Sequence, residues 1–135
     1  MTLFSFLKLY PVALVTFFVI DLVWLGLVAR GFYQAQMGHL MRGTVSWPPA
    51  ILFYLLFVVG IVLFVVGPAV ERQSLGQAVL LGALFGLVTY AAYDLTNLAT
   101  LEGFPLTVAV VDMVWGMVLC GSISAVTYLA STRLL

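Results

Sequence analysis

Three aspartates, Asp21, Asp94 and Asp112, sit inside long apolar stretches of the chain, while all five basic residues lie at or beyond the ends of those stretches. A carboxylate at bilayer depth carries a large solvation cost, so such residues mark ligand sites, ion or proton pathways, or hydrogen bonds between helices. No lysine or arginine is placed to neutralise them. Three ionised aspartates cannot share one dry pocket, so a proton is held, a cation is bound, or water enters. Proton and water together describe proton-linked binding or transport of a small molecule. A cation would instead make this a hard-cation site, with oxygen ligands from Asp21, Asp94, Asp112 and Asn97.

The densest polar stretch is Tyr90-Ala91-Ala92-Tyr93-Asp94-Leu95-Thr96-Asn97, which closes an apolar run beginning near Leu75. Gly82, Gly86, Tyr90, Tyr93/Asp94 and Asn97 follow one another at helical spacing and share one side of a helix. The cavity-lining candidates are Trp24, Tyr54, Tyr90, Tyr93, Thr96 and Trp115.

A short repeat links two distant stretches. Val19-Ile20-Asp21-Leu22-Val23-Trp24 resembles Val110-Val111-Asp112-Met113-Val114-Trp115, and in each the Asp and Trp share a helix face. Behind Asp112, Gly116, Cys120 and Ser124 follow at four-residue steps, matching Ala78, Gly82 and Gly86 on the preceding span. Stripes of small residues let helices approach closely, so these two spans should pack together or form a homodimer contact.

The elements that position these groups follow from composition. Of 135 residues, 64% are hydrophobic and only 7% charged, against about 25% charged in soluble domains. The expected fold is all-α, a single transmembrane domain over residues 1–135. Its four transmembrane helices fall at about 9–29, 49–69, 75–98 and 106–128. About 20 residues at ~1.5 Å each give the ~30 Å needed to span. Pro11 would stand in the first turn of the first helix. Residues 32–47 suggest a short amphipathic helix between helices one and two, with Tyr33 and Trp47 as interfacial anchors. Ser74-Leu75-Gly76-Gln77 matches a capping box that starts the third helix. Pro105 begins the fourth, with Glu102 suiting the positive end of its dipole.

Counted from the side facing residues 30–47 and 99–105, Asp21 is ~13 Å deep and Asp112 ~10 Å deep. Asp94 and Tyr54 lie at comparable depths from that same side, so polar groups of four helices fall in one half of the bilayer. Asp94 and Asp112, on antiparallel neighbours joined by a short loop, should form a coupled pair.

Several classes are excluded. The net charge is zero with no basic run, so nucleic-acid binding has no support. His39 is the single histidine and Cys120 the single cysteine, so neither a zinc cluster nor an intrachain disulfide can form. No nucleophile–histidine–acid set, phosphate loop or dinucleotide fingerprint appears, and no cofactor is expected. Lys8 precedes an apolar stretch that lacks a small-residue cleavage site, which reads as a retained first helix.

Asp21-x-x-Trp24-Leu25, Phe53-Tyr54, Tyr93-Asp94-Leu95-Thr96-Asn97-Leu98-Ala99-Thr100 and Asp112-x-x-Trp115-Gly116 resemble the hallmarks of a bacterial family of predicted inner-membrane proteins, a domain of unknown function. The resemblance covers essentially the whole chain. It implies four helices in a bacterial cytoplasmic membrane and brings no activity or substrate. Small multidrug exporters also have four helices but centre on a glutamate in the first, where this chain has Asp21. Intramembrane prenyl and phosphatidyl transferases use Asp-x-x-Asp or Asp-x-x-x-Asp spacings that do not occur here. Three against two basic residues favours the termini in the cytoplasm. Membrane lipid is the expected partner. Two other functions compete with proton- or cation-linked binding or transport. One is a membrane enzyme using carboxylate acid/base chemistry on a lipid or isoprenoid. The other is an accessory subunit whose polar pocket is only structural.

Overall fold

The computed structural model describes residues 1–134 and is all-α. Four of its helices are long and apolar enough to cross a membrane: α1 (Leu3–Val28), α3 (Trp47–Glu71), α4 (Leu75–Thr100) and α5 (Leu106–Arg133). A short helix, α2 (Arg30–Met37), lies between the first two.

Side-chain caps and prolines set the boundaries. Thr2 caps α1 by accepting from the Ser5 amide at 3.1 Å. The helix therefore begins six residues ahead of the expected start at residue 9. Pro11 falls well inside α1 rather than in its first turn, and Lys8 falls within the helix, its ammonium 4.4 Å from the Phe4 ring centre. A long stem can carry that charge toward the membrane surface, which is why a lysine does not stop the span. Ser74 caps α4, accepting from the Gln77 amide at 3.0 Å, while its own amide bonds the Ala69 carbonyl rather than the Gln77 side chain, so only one arm of the capping box forms.

Two helices contain a wider turn. In α3 it covers Val62–Val66, immediately ahead of Gly67-Pro68, where the missing proline N–H breaks the regular ladder. In α1 it covers Trp24–Val28, closed by the Ala29 amide on the Trp24 carbonyl at 2.7 Å. The non-helical backbone of Ala29 then turns the chain into α2.

The amphipathic segment is shorter than expected. It spans Arg30–Met37, and the chain from Gly38 to Ser46 is turn and loop. Its apolar residues Phe32, Tyr33 and Met37 pack against Phe104, Val108 and Ala109 at the start of α5. Tyr33 is thus held against the bundle and is not a free interfacial anchor. Trp47 remains exposed at the start of α3.

The closest helix pair is α4 with α5, and small residues make it. A Cβ on Gly82 would stand 2.7 Å from the Ser124 hydroxyl and 2.8 Å from the Cys120 carbonyl. A Cβ on Gly86 would run into the Gly116 backbone, and one on Gly116 into the Tyr90 ring. The two stripes face each other within one chain. Ala78, Gly82 and Gly86 of α4 and Gly116, Cys120 and Ser124 of α5 are buried in that contact. The central core joins Phe17 of α1 with Val58, Ile61 and Val62 of α3 and Leu119 and Ile123 of α5.

Candidate functional site

Toward the end that carries α2, the helices spread around a cavity of about 490 Å³. Every helix contributes to its wall: Asp21, Trp24 and Leu25 from α1, Tyr33 from α2, Ala50, Phe53 and Tyr54 from α3, Thr89, Tyr90 and Tyr93 from α4, and Asp112 and Trp115 from α5. Pockets for small molecules commonly measure ~300–1,000 Å³ and combine apolar walls with a few fixed polar groups.

Hydrogen bonds and ring stacking fix the two Asp-x-x-Trp stretches against each other. The Trp115 indole N–H donates to Asp21 Oδ1 at 3.3 Å. Trp24 and Trp115 stack with centroids 4.3 Å apart and planes 9° apart. The Trp24 indole N–H donates to the Tyr33 hydroxyl at 3.3 Å, and that hydroxyl donates to Asp112 Oδ1 at 2.8 Å. Burial pushes the Tyr33 phenol above its ordinary range, so it remains a proton donor to Asp112. Each tryptophan therefore serves the aspartate of the other helix, directly in one case and through Tyr33 in the other.

Asp94 is placed differently. It continues the Ala78, Gly82, Gly86 stripe of α4 and is completely enclosed at the contact with α5 rather than lining the cavity. No donor reaches either of its oxygens, although the Asp112 carboxyl lies beside it. Two carboxylates in that position are both acceptors. One proton between them turns the contact into a hydrogen bond.

Of the residues named from the sequence, Asp21, Asp112, Trp24, Tyr54, Tyr90, Tyr93 and Trp115 line the cavity. Asn97 and Thr96 do not. Thr96 is two residues beyond Asp94, hence on the opposite face, and its hydroxyl is satisfied by the Ala92 carbonyl of its own helix. Asn97 lies one turn nearer the helix end, beyond the wall. A hard-cation site is also not assembled: among the described residues no three His, Cys, Asp or Glu side chains converge as metal ligands. Asp21 is held by Trp115, Asp112 by Tyr33, and Asp94 is sealed off.

Tyr33, Phe53 and Thr89 were not expected in the wall. The Phe53-Tyr54 pair gave a signal for Phe53. Nothing in the spacing of residues 30–37 shows that Tyr33 reaches Asp112, 79 positions away. His39 lies outside the cavity and contacts the Gly103 carbonyl at 3.2 Å, bridging the two loops on this side.

A family model described as Predicted membrane protein (DUF2177) matches residues 6–129. No curated protein and no solved structure matches the chain.

Proposed function

The chain belongs to the DUF2177 family of membrane proteins, and we propose that it binds a small molecule in the cavity between its helices in a proton-linked manner. The reading extends to transport across a bacterial cytoplasmic membrane, with both termini in the cytoplasm. The observation that carries it is the cavity of about 490 Å³ at bilayer depth, walled by aromatic rings and holding Asp21 and Asp112. A purely structural role for these aspartates needs their hydrogen bonds but not the space. Tyr54 and Tyr90 also line that space, and neither side chain makes a hydrogen bond within the described residues. In this reading Asp94 and Asp112 share one proton. A ligand that approaches Asp112 then changes where that proton is held.

A second reading, an enzyme acting on a lipid, is favoured by one feature. Leu25, Phe53 and Tyr93 are exposed at the rim, where a bilayer chain would enter.

Thiol labelling separates the two. With Cys120 replaced by Ala, Tyr54→Cys and Tyr90→Cys should react with a water-soluble, membrane-impermeant reagent, whereas lipid-facing Leu56→Cys should not. Labelling of the cavity positions by a lipid-soluble reagent alone would favour the enzyme reading. No labelling by either reagent would remove the ligand cavity altogether.

A further inference from the structure

The chemistry of the wall narrows the ligand. Asp21 is 9% exposed, lines the cavity, and is met by a single neutral donor, the Trp115 indole, on one oxygen. Its other oxygen makes no hydrogen bond within the described residues. No lysine, arginine or histidine lines the cavity. The remaining surface is dominated by the rings of Trp24, Trp115, Tyr33, Tyr54 and Tyr90. Aromatic faces carry negative quadrupole density and attract cations, most strongly where water is excluded.

An anion would meet carboxylates with no positive group to balance it. A neutral ligand would require Asp21 to hold a proton of its own, because an ionised Asp21 would stay uncompensated at bilayer depth. A hard divalent cation such as calcium or magnesium wants six or more oxygens around it, and the wall is mostly carbon. An ammonium group bearing apolar substituents satisfies every part of this wall at once. Its charge faces Asp21, its carbon groups meet the rings, and it needs no dense oxygen shell.

We propose that the cavity takes an organic ammonium cation, with Asp21 as the counter-charge and the tryptophan and tyrosine rings as the cage. This rests on the reading that the cavity binds a small molecule and adds the chemical class.

The test uses the full chain in detergent micelles, with Trp47→Phe so that fluorescence reports Trp24 and Trp115 alone. Three probes of similar shape are titrated: benzyltrimethylammonium, its neutral carbon isostere neopentylbenzene, and the anion benzenesulfonate. The cation should bind roughly tenfold tighter than the isostere, and the anion should not bind. Asp21→Asn keeps an acceptor for the Trp115 indole while removing the charge. It should erase the cation's advantage and leave the isostere's affinity unchanged. Equal binding of cation and isostere, an advantage that survives Asp21→Asn, or no binding of the cation at millimolar concentration would each overturn the proposal. Thiol labelling reads the cavity's access separately, so loss of the ligand class is distinguishable from loss of the binding site.

Discussion

Trp24 and Trp115 lie face to face, 4.3 Å between ring centres and 9° between planes, at the crossing of α1 and α5. The stack joins two hydrogen-bonded arms, Trp115 to Asp21 and Trp24 through Tyr33 to Asp112. Tryptophans do more here than fill space, because each indole supplies a donor that the other helix's polar arm uses. Replacing Trp115 by Phe removes the indole N–H from Asp21 and shrinks the stacked surface. A stacked aromatic pair is worth about 0.5–1.5 kcal/mol, and a lost bond to a buried acid about 1–3 kcal/mol. Trp115→Phe should therefore lower the thermal midpoint in micelles clearly, while Trp47→Phe, at an exposed ring, should leave it nearly unchanged. Equal effects of the two would mean that the stack contributes nothing to the bundle.

Among the described residues, Tyr33 is the side chain that ties α2 to the cavity by a hydrogen bond to an aspartate. Tyr33→Phe keeps the ring among Phe32, Trp24 and the start of α5 but removes both the bond to Asp112 and the acceptor of the Trp24 N–H. The expected cost is about 1.5–3 kcal/mol, since one partner is an acid. It should appear locally: amide exchange should rise across residues 30–37 while the four long helices keep their protection. Uniform loss of protection through all helices would contradict a local tether.

These two positions also show what was legible in the sequence. The spans, the Ser74 cap and the shared Asp–Trp faces could be read because they depend on hydrophobic runs and on spacing within one helix. The small-residue stripes were legible for the same reason, and α4 and α5 use them against each other. Tyr33 was not legible as a partner of Asp112, because that contact depends on the turn at Ala29 folding α2 back over α5. Thr96 is polar without lining the cavity because a hydroxyl near a helix end can satisfy itself on its own backbone and needs no site. The sequence places Asp94 among the proton- or cation-binding groups, paired with Asp112. Periodicity gave its face correctly, yet periodicity does not say whether a face meets a cavity or a neighbouring helix.

The tightest approach predicts a sharp contrast among glycines. At Gly86 an added Cβ collides with the Gly116 carbonyl, which is backbone and cannot swing aside. Gly86→Ala should cost about 1–3 kcal/mol or more by overpacking. At Gly26 nothing lies within 4 Å of the added atom, so Gly26→Ala should be neutral or slightly stabilising through better helix propensity. Thermal unfolding of the two variants side by side would check this. Similar midpoints would mean that α4 and α5 are not packed at the glycine contact.

Topology gives a prediction independent of any ligand. In a Cys120→Ala background, Ser46→Cys and Glu102→Cys should label from one side of the membrane and Gln73→Cys from the other. Glu102 is the better reporter than its neighbour Gly103, whose φ of +78° would strain any other residue. If both termini lie in the cytoplasm, as proposed, Gln73→Cys is the position protected from an impermeant reagent applied to the opposite face. Labelling of Gln73→Cys and Glu102→Cys from the same face would rule out four crossings, and the reverse sidedness would invert the orientation.

The proposed sharing of one proton by Asp94 and Asp112 can be tested by substitutions that separate shape from charge. Asp94 is fully enclosed, receives no donor, and has the Asp112 carboxyl beside it. Two charged acceptors in that setting would repel each other without solvent to screen them, so a single proton is what makes the contact favourable. Asn at position 94 supplies a permanent N–H donor to Asp112 in nearly the same volume. Asp94→Asn should therefore fold with a thermal midpoint close to that of the parent while losing the ability to exchange a proton. Leu at the same position offers no donor, so Asp112 loses a bond and the expected cost is about 1.5–3 kcal/mol. Infrared spectra of the parent should show the carbonyl stretch of a protonated carboxylic acid in a buried setting, and that band should vanish in Asp94→Asn. If Asp94→Leu melts as high as Asp94→Asn, and the acid band survives both substitutions, then Asp94 and Asp112 share no proton.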